Sequence, residues 1–203
     1  MKHIFFDFET TGIGEFRKQR AIQLCWIVTD AYLEIEHICS YYIKGNTELN
    51  TDFHSHLSLE ILEKEGKDLH WVLKQFLNDI SQLDGGHLVA HNISFDVRIL
   101  QNELNDCKID FNIYDIKDRF FCTMKNSTKL LKIKGTHAGQ YKYPKLIELY
   151  THFYEKEPDL QLHDAKNDTI VLLDCYKKLI EKIERKNKRK RDDNVKQFMN
   201  YEK

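Results

Sequence analysis

Residues 5–12, with the sequence FFDFETTG, place two acidic side chains inside an apolar run. Side chains two residues apart in a strand point to the same face, so Asp7 and Glu9 share one surface. Their carboxylates are then roughly 7 Å apart. Phenylalanines on both faces predict a central strand that is covered on each side. Two like charges at such a position need a positive partner.

Two later segments show the same anomaly on helical patterns. Asp96 lies on the face of segment 91–104 that carries its aliphatic residues, three and four positions before Ile99 and Leu100. Asp168 belongs to the apolar stripe of the last helical pattern, whose other members are Ala165, Leu172, Tyr176, Leu179 and Ile183. The spacing therefore predicts that four carboxylates from distant parts of the chain face the interior.

Burying an ionised carboxylate without a partner costs several kcal/mol, and neighbouring like charges raise its pKa further. In these segments the available arginine is Arg98, which lies on a different helix face from Asp96. Divalent metal is the better counter-charge, because carboxylate oxygens and water are the ligands that Mg²⁺ and Mn²⁺ prefer.

The chain has 203 residues, of which 41% are hydrophobic, and this suits one compact domain with a substantial core. No stretch approaches the roughly 18–20 continuous apolar residues of a membrane span, and the N-terminal residues follow a strand pattern rather than a signal-peptide layout. We therefore expect a soluble, intracellular, cytoplasmic protein with no membrane partner. The net charge of −1 requires a polyanionic partner to be held by local patches or by metal.

The five cysteines are scattered and form no Cys-x-x-Cys pair. This pattern suggests neither a disulfide framework nor a zinc site. We expect reduced thiols that are mostly packed in the core.

Hydrophobic periodicity predicts an α/β fold whose first three strands form an antiparallel meander. The predicted strands cover residues 2–9, 21–29, 34–43, 87–90 and 119–124. The predicted helices cover residues 58–64, 69–83, 92 or 94 to 104, 144–154 and 164–185.

Three motifs taken together resemble the DEDDh 3′→5′ exonucleases of the ribonuclease H-like superfamily. They are FFDFETTG at 5–12, AHNISFD at 90–96 and HDAKND at 163–168. The likeness spans residues 2 to about 180. His163 stands five residues before Asp168, which is typical of the DEDDh branch, since the sister branch carries tyrosine at four. The resemblance implies a mixed, roughly five-stranded sheet flanked by helices.

The resemblance also implies roles for individual residues. Asp7, Glu9 and Asp168 would hold the metal that carries the attacking water, and Asp7 would reach a second ion near the leaving oxygen. Asp96 would act largely through water. His163 would be the general base, and it would close over bound substrate from its position at a loop end. The expected cofactor is a pair of Mg²⁺ or Mn²⁺ ions, and the expected product is a nucleoside 5′-monophosphate.

The same likeness implies six residues that contact the 3′-terminal nucleotide. The backbone of Thr10, Thr11 and Gly12 would bond the terminal sugar hydroxyl, and His91, Asn92 and Phe95 would lie beside the last nucleotide. The implied partner is single-stranded DNA or RNA with a free 3′ end. DNA is the favoured substrate, and an oligoribonuclease-like enzyme acting on short RNA is the alternative.

A third reading is a binding module that keeps the fold but does not cleave. The five site positions are all present, which argues against it, since a retired site has no physical reason to bury these charges. The sequence leaves open whether a polymerase or a second copy of the chain is a partner, and whether the enzyme proofreads.

Two lysine-rich segments are each open to more than one interpretation. Residues 124–145 contain six lysines, no acidic residue and the aromatic side chains Tyr141 and Tyr143, which suits either phosphate tracking with base stacking or a solvated surface. Residues 185–191 place six cations in seven positions, which fits a nuclear localisation signal, a polyanion contact or a solvated helix extension. We predict an exonuclease domain at 1–184 and a basic, flexible tail at 185–203.

Overall fold

A mixed sheet of five strands, in the order β3-β2-β1-β4-β5, forms the centre of the molecule. The computed structural model describes residues 1–12, 19–50, 57–137 and 139–201, with side chains up to residue 191. The strands are β1 (His3–Thr10), β2 (Ala21–Thr29), β3 (Ile35–Tyr42), β4 (Leu88–Ala90) and β5 (Phe120–Cys122). The helices are α1 (Leu59–Glu65), α2 (Leu69–Ile80), α3 (Ile93–Asp106), α4 (Thr123–Leu131), α5 (Leu146–Tyr154) and α6 (Ala165–Tyr201), with a 3₁₀ helix at Ile113–Arg119.

Strand β1 is the central strand, as its phenylalanines predict. On one face, the ring of Phe6 packs 5.3 Å from that of Phe76 on α2. On the other face, the ring of Phe5 lies 5.0 Å from that of Tyr176 on α6. Phe5 and Phe6 are both fully buried. The predicted α/β fold, with an antiparallel β1–β2–β3 meander and helices on both faces, is confirmed.

The register of the sheet brings the acidic end of β1 next to β2 and β4. Glu9 is paired with Gln23 of β2, and β4 runs parallel to β1 with Phe5 beside Val89. Because β1 and β4 are parallel, their carboxyl ends lie at the same edge of the sheet. Helix α3 starts directly beyond β4, so its first turn lies at this edge.

An ion pair with a buried carboxylate fixes α3 to the start of β2. The carboxylate of Glu103 is almost fully buried and accepts hydrogen bonds from the backbone N–H of Ala21 at 2.7 Å and from Nη2 of Arg20 at 2.6 Å. The backbone of Arg20 in turn bonds Thr11, through its carbonyl at 2.9 Å and its N–H at 3.2 Å. The ion pair therefore supports the turn that follows Glu9.

The structure departs from the sequence-based assignment in three places. Helix α4 was not predicted, and it occupies the first part of the lysine-rich segment 124–145. Part of the loop that follows forms a narrow antiparallel ladder, with Lys134 bridged to Tyr141. Helix α6 does not end near Arg185 but continues to Tyr201, because the charged residues beyond 185 retain good helix propensity. The division at 184/185 into domain and tail stays a prediction.

Among the described residues, no helix combines the length and the apolar character needed to cross a bilayer.

Removing the Arg20 side chain tests the support of the β1–β2 turn. We expect Arg20→Ala to lower the free energy of unfolding by about 2–3 kcal/mol, because the buried charge of Glu103 loses its partner. Chemical denaturation measures this change. Asp106→Asn is the matched control, because Asp106 is an exposed partner of Arg20 and its loss should cost less than about 1 kcal/mol. Equal losses in the two variants would contradict the expectation.

Candidate active site

Strand β1 carries the first two acidic residues of the site. Asp7 and Glu9 point to the face that α6 covers, and both are half-buried. In β2, Cys25 lies opposite Asp7 and Gln23 lies opposite Glu9, so no cation lies opposite either carboxylate.

Helix α3 adds Asp96 from its first turn. Its side chain is 2% exposed, and its Oδ1 accepts a hydrogen bond from the backbone N–H of Phe8 at 3.3 Å. Since Phe8 lies between Asp7 and Glu9 in β1, this bond holds the third carboxylate against the strand that carries the first two.

Helix α6 adds Asp168, and the residues before it add the histidine. Carboxylate oxygens of Glu9 and Asp168 and a ring nitrogen of His163 all lie within 4.8 Å of one another. His163 is an exposed residue, and its backbone N–H donates to Oδ2 of Asp168 at 3.3 Å. The structure therefore brings together the histidine and all four acidic residues that the sequence singled out.

His163 has a left-handed backbone, with a φ of 68°. This conformation is uncommon outside glycine, although histidine and asparagine adopt it more readily than most residues. The bond from its N–H to Asp168 holds the strained residue in place. The backbone of His163 is thus held in place, while its side chain is exposed.

Burial and mutual repulsion shift the titration of the carboxylates. Desolvation raises the pKa of Asp7 well above its usual value, and the charges of Asp96 and Asp168 raise it further. The pKa of Glu9 rises to about 8, chiefly through burial and then through Asp168 and Asp164. Burial also raises the pKa values of Asp96 and Asp168, although hydrogen bonds from backbone N–H groups oppose both shifts. A cation bound among the four carboxylates would offset the repulsion and desolvation that raise their pKa values.

The donor set fits a divalent cation. Oδ1 of Asp168 is buried and has no hydrogen-bond partner among the described residues, as expected for an atom whose partner is an ion. The other converging groups are carboxylates, and hard divalent ions prefer oxygen ligands. Asp7, Glu9, Asp96 and Asp168 are thus the residues that could hold metal here.

Gln23 is a residue that the sequence analysis missed. Its Oε1 accepts from the backbone N–H of Ala165 at 3.1 Å, and its Nε2 donates to Oδ2 of Asp164 at 3.1 Å. The other oxygen of Asp164 caps the helix by accepting from the N–H groups of Lys166 and Asn167. Gln23 therefore fixes the start of α6 beside Glu9. The available signal was a glutamine in an otherwise apolar strand.

The predicted substrate-binding residues lie around the same edge of the sheet. Thr10 ends β1, and Asn92 and Phe95 lie at the start of α3. Asn92 is exposed, with a left-handed φ of 69°, and its side chain makes no capping bond to α3. These placements are compatible with a nucleotide contact, which stays a prediction.

The ring of His91 is already bonded within the protein. Its Nδ1 lies 2.9 Å from Oγ1 of Thr123 and its Nε2 lies 2.9 Å from the carbonyl oxygen of Pro144. Burial lowers the pKa of His91, and the bond to Pro144 opposes this shift. The ring therefore joins β4 to the starts of α4 and α5, and a direct contact with a nucleotide would require it to leave these partners.

The turn after Glu9 has no room for a larger residue at Gly12. Gly12 has a φ of +145°, and an added Cβ would lie 2.8 Å from Cβ of Asn50. The backbone N–H of Asn50 also donates to the carbonyl of Thr11 at 2.9 Å. The segment that would meet the sugar hydroxyl is thus held by packing and by hydrogen bonds.

Comparison with protein families gives a decisive match. The family model RNase_T, described as an exonuclease, covers residues 4–176 of the chain. The chain belongs to this exonuclease family. The predicted resemblance to the DEDDh exonucleases and the enzyme class are therefore confirmed, and exonucleases of this type use divalent metal ions. A search of the curated proteins finds no match.

Solved structures of Exonuclease I share the fold. The Escherichia coli enzyme in complex with a dA16 oligonucleotide is 13% identical, with a TM-score of 0.66, and the match covers 85% of this chain and 39% of that one. The Methylocaldum szegediense enzyme is 18% identical, with a TM-score of 0.65, covering 85% and 38%. A further Exonuclease I structure is 16% identical, with a TM-score of 0.69, covering 89% and 41%. This exonuclease-family chain thus spans about two fifths of the length of these proteins.

Replacing Gln23 tests its positioning role. We expect Gln23→Leu to lower kcat by about tenfold or more with little change in KM, because a displaced α6 carries Asp168 and His163 out of alignment. Loss of the two hydrogen bonds should also lower the free energy of unfolding by about 1–3 kcal/mol. Steady-state kinetics measures the first effect and chemical denaturation the second.

Gln75→Leu, on the exposed face of α2, is the matched control and should leave kcat unchanged. A Gln23→Leu enzyme that retains the wild-type kcat would show that α6 is positioned without this residue.

The raised carboxylate pKa values also predict how stability depends on pH without metal. A folded-state pKa above the unfolded value means that the folded protein binds more protons, so the carboxylates lower stability as pH rises from about 4.5 towards 8, the range set by Glu9. Burial lowers the pKa of His3 to about 4, which opposes this effect below about pH 6.5, so the effect of the carboxylates is clearest between about pH 6.5 and 8. We expect the melting temperature in EDTA to fall over this range and to recover with Mg²⁺. Thermal melts across pH, with and without the ion, measure this.

Asp7→Asn should flatten the pH dependence in EDTA, since one repelling charge is gone, whereas Asp118→Asn, at an exposed position, should leave it unchanged. A metal-free wild-type protein that becomes more stable between about pH 6.5 and pH 8 would contradict this expectation.

Proposed function

We propose that the protein hydrolyses single-stranded nucleic acid from the 3′ end, with DNA as the favoured substrate, and releases nucleoside 5′-monophosphates. The observation that carries this proposal is the approach of Glu9, Asp168 and His163 to within 4.8 Å, with Asp7 and Asp96 beside them. Four converging carboxylates and one exposed histidine suit phosphodiester hydrolysis better than they suit a structural role.

The proposed cofactor is a pair of Mg²⁺ or Mn²⁺ ions held by Asp7, Glu9, Asp96 and Asp168. When bound, the ions stabilise charge on the attacking and leaving oxygens and lower the pKa of the attacking water. The unpartnered Oδ1 of Asp168 supports this ligand set.

His163 has the position of a general base. Its ring is exposed and lies within 4.8 Å of the oxygens of Glu9 and Asp168. A neutral imidazole has a ring nitrogen with a free lone pair, so it can take a proton from water. The water oxygen then attacks phosphorus, the bond to the 3′ oxygen of the preceding nucleotide breaks, that oxygen takes a proton from solvent, and the terminal nucleotide leaves with a 5′-phosphate.

A cavity of about 490 Å³ lies beside the catalytic residues. His163 and Asp168 line one side, and Lys145 and Leu146 at the start of α5 line another. Its volume is in the range of small-molecule sites, and Lys145 offers a cation to a phosphate. We propose that this cavity takes part of the nucleotide or product. Tyr141 and Tyr143, which are 46% and 61% exposed, provide stacking surfaces for bases further along the strand.

The favoured DNA substrate is supported by the likeness to Exonuclease I, which has been solved with dA16 and dT13 oligonucleotides. The alternative is an oligoribonuclease-like activity on RNA. The two substrates differ in the 2′-hydroxyl of the terminal sugar, which the site would have to accommodate in RNA. The backbone of Thr10, Thr11 and Gly12 is the proposed reader of that sugar.

The decisive experiment follows 5′-labelled single strands of DNA and of RNA with the same sequence, at several lengths, in Mg²⁺, Mn²⁺ or EDTA. We expect a ladder that shortens from the 3′ end, nucleoside 5′-monophosphate as product, no reaction in EDTA and faster digestion of DNA. Faster digestion of very short RNA would favour the alternative. Retained strands that are bound but never shortened would favour a non-cleaving binding module.

Two substitutions test the assigned roles. We expect His163→Asn to lower kcat by about 10²–10⁴-fold, the usual contribution of a general base, because asparagine keeps the left-handed backbone but cannot take the proton. Asp7→Asn should abolish turnover. His70→Asn, an exposed position on α2, is the control. Wild-type rates in both site variants would overturn the proposal.

We also propose a domain division, a role for the C-terminal tail and a location. Residues 1–184 act as the exonuclease domain, the basic tail at 185–203 adds a nucleic-acid contact or a nuclear address, and the protein works inside the cell. A polymerase or second-copy partner would be tested by co-purification and by the oligomeric state in solution.

A further inference from the structure

A second cluster of metal-ligating side chains lies at the opposite face of the sheet from Asp7. His37 and Cys39 belong to β3 and Asp79 belongs to α2. A ring nitrogen, a sulfur and a carboxylate oxygen from these residues all lie within 4.8 Å of one another. Cys39 is paired with Trp26, which lies opposite Phe6, so the cluster lies on the Phe6 face and away from the carboxylates of the active site.

The ligand types are those of zinc and related ions. Zn²⁺ binds histidine nitrogen and carboxylate oxygen at about 2.0–2.2 Å and thiolate sulfur at about 2.3 Å. Ligand atoms around one tetrahedral ion are then about 3.5 Å apart. The three ligand atoms lie within 4.8 Å of one another, so side-chain rotations would have to bring them to that separation. A thiolate ligand also disfavours Mg²⁺, so this cluster and the all-oxygen active site select different ions.

The rigid parts of the fold already hold the ligands in place. His37 and Cys39 are two residues apart on one strand, so their side chains share a face. Asp79 is oriented by the buried indole of Trp26, whose Nε1–H donates to Oδ2 at 2.6 Å. Such a bond to a ligating carboxylate is the usual outer support of a metal site. The second carboxylate oxygen, Oδ1, can then serve as a ligand.

A hydrogen-bonded pair alone accounts for part of the cluster but not for all of it. Nε2 of His37 lies 2.9 Å from Oδ2 of Asp79, which is sufficient to place those two side chains. The pair does not explain why the sulfur of Cys39 lies close to both of these groups. All three residues are half-buried, so an ion could enter from solvent and a water could complete its coordination.

We propose that His37, Cys39 and Asp79 bind a zinc-class divalent ion, with a fourth position open to solvent. The ion would join the edge strand β3 to helix α2. A sequence pattern does not reveal this site, because one ligand comes from an element about 40 positions away and there is no Cys-x-x-Cys pair.

Cobalt is the probe for this site, because a thiolate bound to Co²⁺ gives a charge-transfer band in the near ultraviolet and oxygen ligands do not. The full-length protein is stripped of metal under reducing conditions and titrated with Co²⁺. We expect a band that saturates at one equivalent and disappears when Zn²⁺ is added. Cys39→Ser should abolish the band, and His37→Gln should weaken Co²⁺ binding by about tenfold or more.

Two controls separate the site from other thiols and from the active site. Cys107→Ser removes a half-buried cysteine elsewhere and should leave the band intact. Asp7→Asn should also retain it, so that loss of exonuclease activity and loss of this site are distinguishable. A wild-type protein without the band, or a band that survives in Cys39→Ser, would overturn the proposal.

Discussion

The repulsion among four desolvated carboxylates is the constraint on which the rest of the structure depends. Burial and like charge raise the pKa values of Asp7, Glu9, Asp96 and Asp168 together. Keeping them ionised and close requires a rigid frame and a compensating cation. The frame comes from three elements that meet at one edge of the sheet, namely the end of β1 and the starts of α3 and α6. The free energy for holding them there comes from the phenylalanine-rich core on both sides of β1.

Polar contacts between elements then align that frame. Glu103 and Arg20 tie α3 to the start of β2, and Gln23 ties the start of α6 to the same strand. Strand β2 is therefore the common anchor of the two helices that bring acidic residues to β1. Small displacements of either helix would separate the carboxylates. This explains the presence of the buried, polar Gln23 in the largely apolar strand β2.

The fold class and the positions of the four carboxylates could be predicted from periodicity, because local spacing records it, whereas His163 was identified through the resemblance to the DEDDh exonucleases. The two-residue interval between Asp7 and Glu9 and the stripe positions of Asp96 and Asp168 are readable from the chain. The roles of Gln23 and His91 are not, since their partners lie more than 30 residues away and follow from the tertiary arrangement. Helix α4 was missed because it is short and its buried residues are the polar Thr123 and Ser127. The extension of α6 was missed because a charged run was interpreted as a tail.

The two hydrogen bonds from Gln23 to residues 164–165 clamp the start of α6 to β2 and limit where this part of the chain can move. Asp168 lies on the fixed side of that clamp, whereas His163 lies just before it. A swing of His163 that hinges in the segment leading from α5 to residue 163 would break its N–H bond to Asp168 and would leave the start of α6 in place. In the proposed mechanism, the general base therefore moves over successive strand ends while the proposed metal ligands keep their positions.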